Sequence, residues 1–133
     1  MRRQSLFAAF ALIVPVSAPA WALECANAAT QAEINACAAE RYGQADAALN
    51  VAYKELMTKL SDEREMQPLL RKAQRAWITY RDAHCDFAAA GTLGGSIYPA
   101  LKAGCLAEVT DQRTRELRDL LECEEGDLTC PAP

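Results

Sequence analysis

Six cysteines, at positions 25, 37, 85, 105, 123 and 130, constrain this 133-residue chain more than any other feature. All six follow a segment that reads as an export signal. Arg2 and Arg3 give it a positive start, and Leu6 to Val16 is an apolar run broken only at Pro15. Ala20-Trp21-Ala22 then supplies the small-x-small site that a signal peptidase reads. The run is too short to span a bilayer, which takes about 20 residues. The residues after Arg2-Arg3 fit twin-arginine export poorly, so general secretion is expected. Glu24, where a lipoprotein would carry a small residue, precedes Cys25. The expected product is therefore periplasmic or secreted, without a lipid anchor. In that oxidising compartment an even cysteine count implies three disulfides and no spare thiol.

Cleavage after Ala22 leaves 111 residues, enough for one small domain and too few for a multi-domain enzyme. Its aromatic supply is thin, with Trp77, Phe87 and four tyrosines, so staples would compensate for a modest core. Residues 23–122 read as the helical domain and 123–133 as a short disulfide-closed tail.

The periodicity is helical throughout. Thr30-Gln31-Ala32-Glu33 has the form of a capping box. After it Ile34, Ala38, Tyr42, Ala45, Leu49, Ala52, Tyr53, Leu56 and Leu60 recur at steps of three or four, predicting one long helix that ends near Ser61. Ser61 to Gln67 is a polar turn, and Pro68 suits the first turn of a second helix. That helix would carry Leu70, Ala73, Trp77, Tyr80, His84 and Phe87 on one stripe to about Ala90. Three glycines between Gly91 and Tyr98 predict a loop. Pro99 then opens a third helix through Leu101, Cys105, Val109, Arg113, Leu117 and Leu120. Strand-like alternation is absent, so the expected fold is all-α: a small disulfide-stapled three-helix domain with a long N-terminal helix and an αα-hairpin.

Six cysteines allow fifteen pairings, and spacing chooses among them. Cys85 and Cys105 lie ten residues either side of Gly95, as facing positions in an antiparallel hairpin should. Cys37 sits about 10 Å along the first helix from Thr30, within reach of an extended Cys25–Thr30 segment. Cys123 and Cys130 bracket a turn containing Gly126 and Asp127. The expected bridges are Cys25–Cys37, Cys85–Cys105 and Cys123–Cys130.

Loss of Arg2 and Arg3 leaves twelve basic against eighteen acidic side chains, a net charge of −6. No basic stripe remains to hold nucleic-acid phosphates, and an anionic membrane would repel the surface. A basic protein would be attracted to it. His84 is the only histidine, and the cysteine spacings match no zinc pattern, so neither metal nor cofactor is expected. No serine lies in a nucleophile elbow. Asp82 and Asp86 stand one helical turn apart, yet such a pair is far more often a solvated face than a hydrolytic site. Asp111–Arg115 and Arg115–Asp119 read as surface pairs. No enzyme is expected.

One segment carries a specific resemblance. Ala73-Gln74-Arg75-Ala76-Trp77-Ile78-Thr79-Tyr80-Arg81-Asp82-Ala83-His84-Cys85 resembles the LprI family of lysozyme inhibitors. Thr30 to Ala38, Tyr42, Ala45-Asp46, Leu49-Asn50 and Tyr53 upstream are similar to it too. Gly94-Gly95-Ser96, Cys105, Thr110 and Arg113-Thr114 continue the likeness. The resemblance covers Cys25 to about Leu120 and departs from the family's namesake in lacking its lipobox. It implies a small exported helical module that binds lysozyme and blocks peptidoglycan hydrolysis. A binding module for another envelope protein, of toxin–immunity type, is the alternative; a cell-wall hydrolase comes third.

Within that framework Gly94, Gly95, Ser96 and Tyr98 are the expected partner contacts. Glycines admit a close backbone approach, and the hydroxyls can donate to the carboxylates of a lysozyme cleft. Ser96 is also expected to cap the third helix. Gln74, Trp77, Tyr80, Arg81 and Asp82 are assigned mainly to structure, with Trp77 buried against the first helix. Asp46 and Asn50 are the expected buried polar partners of Gln74, Arg81 and Asp82.

Overall fold

A computed structural model describes residues 25–124 and 126–131; the expected export signal lies outside the described residues. Three helices carry the fold: α1 (Gln31–Lys59), α2 (Met66–Ala89) and α3 (Tyr98–Leu121). A 3-10 turn, Ala90–Thr92, follows α2. The described residues include no strand.

The ends follow from local chemistry. Thr30 Oγ1 accepts the Glu33 N–H at 3.3 Å while Glu33 Oε2 accepts the Thr30 N–H at 2.9 Å, so both halves of the capping box are made. These hydrogen bonds, led by that from the Thr30 backbone, hold the Glu33 carboxyl below its usual pKa. Pro68 occupies the first turn of α2, and Pro99 the first turn of α3. Residue Ser96 does not cap α3. The N-cap is Ile97, without a side-chain hydrogen bond.

Cross-links reveal the topology. Asn35 bonds Ser96 at one end of the bundle and Lys59 bonds Leu121 at the other, so α1 and α3 run parallel. Those two helices pack directly on each other, and α2 runs antiparallel to both alongside them, with Gln67 donating to the Met57 carbonyl, Arg81 meeting Asp46, and Cys85 bridged to Cys105. The bridges join Cys25 to Cys37, Cys85 to Cys105 and Cys123 to Cys130, with Cα separations of 5.5, 5.6 and 5.8 Å.

The interior divides in two. Toward the Lys59 end, Leu49, Ala52, Leu56, Leu60 and Leu117 form an apolar cluster, with Tyr53, Leu70, Trp77 and Leu120 packed around it. Toward the loop end the buried positions are Ala45, Cys85, Ala89, Ala100, Ala103, Leu106 and Ala107, with Arg81 and Thr110 between the two zones.

Two helix faces differ from the sequence expectation. On α2 the buried line is Gln74, Arg81, Cys85 and Ala89. It lies one residue on from the expected Ala73–Trp77–Tyr80–His84 stripe, about 100° around the helix. Tyr80 and Phe87 are left 59% and 82% exposed, and Ala73 and His84 also face out. The Cys85–Cys105 bridge fixes this rotation, and Arg81 follows it inward to meet Asp46. On α3 the buried face runs through Ala103, Leu106, Ala107, Thr110, Thr114 and Leu117, while Leu101 points outward. The small residues face inward there because α3 packs against both other helices. Neither expected Arg115 pair forms: Asp111 instead meets Arg41 at 3.4 Å, and Arg113 meets Glu116.

Candidate functional site

The α2–α3 connection is built by backbone bonds at its turns. Thr92 Oγ1 donates to the Ala89 carbonyl at 2.9 Å, the Gly95 N–H donates to the Thr92 carbonyl at 2.9 Å, and the Tyr98 N–H to that of Gly95 at 3.2 Å. Gly94 has φ +77°, a conformation that favours glycine. A Cβ on Gly95 would lie 3.1 Å from the Thr92 carbonyl oxygen. The glycines thus serve the chain reversal itself. Gly91, expected in the loop, belongs to the 3-10 turn, and Tyr98 is the first residue of α3.

The reversal is fastened at its base. Asn35, oriented by Gln31, donates from Nδ2 to the Ser96 carbonyl at 3.0 Å. Lys102 forms an ion pair with Asp86, and that bond holds the ammonium above its usual pKa. One helical turn further, Cys105 is bridged to Cys85. Gly94, Gly95 and the Ser96 side chain remain exposed, and Tyr98 is half-buried. Sequence reasoning missed two participants. Leu93 stands 68% exposed in this segment, and a large apolar residue among glycines was the available signal. Asn35, on a helix 61 residues away, left none.

A second constellation centres on Arg81, which is 6% exposed. Its guanidinium lies 5.4 Å from the Tyr42 ring centroid and 5.2 Å from that of Trp77. It donates to Asp82 at 2.8 Å and Asp46 at 3.3 Å, with Thr110 Oγ1 at 3.5 Å. Burial raises the Tyr42 phenol, against the opposing pull of Arg81. Gln74 accepts from Arg113 at 3.2 Å, bonding to α3 where a bond to α1 was expected.

Asp46 and Asn50 are not a buried pair. Asp46 is partly exposed, and Asn50 is exposed and donates to Asp46 on its own helix at 3.0 Å. The reason is reach: Arg81 extends outward to Asp46, so the carboxylate keeps its water. Trp77 is half-buried against the leucine cluster, while Tyr80 stacks outside on His84 with ring centroids 5.5 Å apart.

This arrangement is one of support. Asp82 is paired with Arg81 and Asp86 with Lys102. Among the described residues no group of three His, Cys, Asp or Glu side chains is placed to hold a metal ion. No helix among them is long and apolar enough to cross a membrane. What remains is a stiffened loop on a covalently tied base.

Residues 24–117, which contain both constellations, match the family model described as Lysozyme inhibitor LprI. The chain belongs to the LprI family. It is 39% identical to the uncharacterized protein R02472 of Rhizobium meliloti (strain 1021), over 89% of this chain and 96% of that one. It is 29% identical to the uncharacterized protein YecT of Escherichia coli (strain K12), over 64% of this chain and 60% of YecT. The crystal structure of a DUF1311 family protein, PP0307 of Pseudomonas putida KT2440, superposes with a TM-score of 0.66 at 28% identity. That match covers 71% of this chain and 97% of the solved one.

Proposed function

We propose that the exported chain inhibits lysozyme by protein–protein contact, presenting the loop from Gly91 to Tyr98 to the enzyme's cleft. Membership of the LprI family carries this reading. The geometry supports it. A protruding loop fixed by Asn35 and by the Cys85–Cys105 bridge loses little entropy when it docks. Gly94, Gly95 and Ser96 are exposed there, with Tyr98 beside them. Ser96 and Tyr98 carry hydroxyls that can donate to the two carboxylates of a glycosidase cleft. The net charge of −6 steers a basic enzyme toward the surface, more weakly as salt rises. In this reading the Arg81 cluster holds the frame and touches no partner, and the chain works after removal of residues 1–22 in the periplasm or outside the cell.

The test is a Ser96→Ala, Tyr98→Ala double variant assayed against several lysozymes, with the wild type also assayed alone on peptidoglycan. Inhibition is expected to fall about tenfold or more while helical circular dichroism is unchanged. Undiminished inhibition moves the contact away from the loop. Lack of inhibition by the wild type against every lysozyme favours another envelope partner. Peptidoglycan cleavage by the chain alone would make it a hydrolase.

A further inference from the structure

The face that α2 turns away from the bundle is patterned for a second helix. Leu69, Ala73, Ala76, Tyr80, Ala83 and Phe87 follow one another at steps of four, three, four, three and four, and all six are exposed. That spacing is the a/d seam of a coiled coil. Its uncharged row runs about 27 Å along the helix at 1.5 Å per residue. Nothing in the bundle covers it: Leu69, Tyr80 and Phe87 are 59%, 59% and 82% exposed.

The two ends of the seam differ in a way that names its occupant. At one end Phe87 projects as a knob. At the other, beside the seam, a groove of about 300 Å³ opens between Met66, Leu69, Leu70 and Ala73 of α2 and Leu56, Leu60, Leu120 and Pro131 of the same chain. Residues spaced i, i+3, i+4 and i+7 are the four that frame a hole in knobs-into-holes packing. A two-fold axis near residue 78 reverses a second copy so that its Phe87 meets this hole. The same operation sets Ala76 against Tyr80 and Ala73 against Ala83, pairing large with small and small with small. It brings Lys72 beside Asp86 of the other copy at the seam's edge. A surface that fits itself under a two-fold axis is an isologous interface.

We infer that two copies of this chain associate through α2, antiparallel, with Phe87 of each seated between Met66, Leu69, Leu70 and Ala73 of the other. The inference is independent of lysozyme binding. It leaves the two Gly91–Tyr98 loops at opposite ends of the seam, both free.

Sedimentation equilibrium of the processed protein over a wide concentration series tests the association. Phe87→Glu, at an exposed position, keeps the fold and is expected to weaken the dimer about tenfold or more, because it removes one apolar anchor from each half. Isotope-filtered NMR on a mixture of labelled and unlabelled protein tests the geometry. Intermolecular contacts from the Phe87 ring to the Leu69 and Leu70 methyls are expected. A monomer at every concentration overturns the inference. So does a dimer indifferent to Phe87→Glu, or one whose intermolecular contacts run from Phe87 to Phe87.

Discussion

The two ends of this bundle are held together by different means. Around Leu49, Leu56, Leu60 and Leu117 the helices bury branched apolar side chains in the ordinary way. Around Cys85, Ala89, Ala103 and Ala107 they bury small ones, which allow close approach but remove little apolar surface from water. Two of the three disulfides lie at that second end, together with the Arg81 cluster that separates the zones. The loop proposed to meet a partner rises from the end held by cross-links. Small residues keep the support slender, and covalent bonds make it stiff.

Leu56→Ala attacks the leucine end and is expected to cost the most, about 3–4 kcal/mol, because the side chain is 1% exposed in a tight cluster. Urea denaturation should show a lower midpoint with an unchanged slope. A loss below about 1 kcal/mol would mean that the leucine end carries no more of the stability than its partner.

Replacing Cys85 and Cys105 together by alanine attacks the other end. Opening a bridge of sequence separation 20 is expected to cost about 3 kcal/mol. Hydrogen exchange sharpens the contrast. Protection should fall most at residues 85–105 and least at residues 49–60, and uniform loss would show that the two ends unfold as one unit.

Arg81→Met probes the boundary, with the smallest effect of the three. It removes ion pairs to Asp46 and Asp82, whose side chains are 42% and 52% exposed and stay hydrated. The aliphatic stem is kept between Tyr42 and Trp77. The expected loss is about 1–2 kcal/mol after allowance for solvent screening. A gain in stability would show that the arginine is retained for a purpose other than folding.

Much of this frame was legible in the sequence. Helix ends are set by local chemistry, and the Thr30–Glu33 box and the two prolines mark them without reference to anything distant. The α1 stripe from Ala45 to Leu60 was legible for a related reason, since Leu49, Tyr53, Leu56 and Leu60 recur at steps of three or four within one helix. The inward face of α2 was not. Apolar periodicity pointed to Tyr80, His84 and Phe87, whereas the bundle turns Gln74, Arg81 and Cys85 inward. A buried arginine needs aromatic rings and carboxylates supplied by another helix and by its own neighbour, and a disulfide needs a cysteine twenty residues on. Neither requirement shows in the hydropathy of the segment. The role of Ser96 was misjudged too. Its position before Pro99 suggested a cap, but the helix begins at Tyr98, which makes Ile97 the N-cap and leaves Ser96 one residue outside it.

Trp77 gives this arrangement an optical consequence. In the processed chain proposed above it is the one tryptophan, and its indole lies between the leucine cluster and the Arg81 guanidinium. Its fluorescence therefore reads the boundary between the two ends without any added label. Water entering the leucine cluster shifts the emission to longer wavelength, whereas departure of the cation alters the intensity of an indole still shielded on its other side. Emission spectra followed through unfolding can thus tell which end of the bundle opens first.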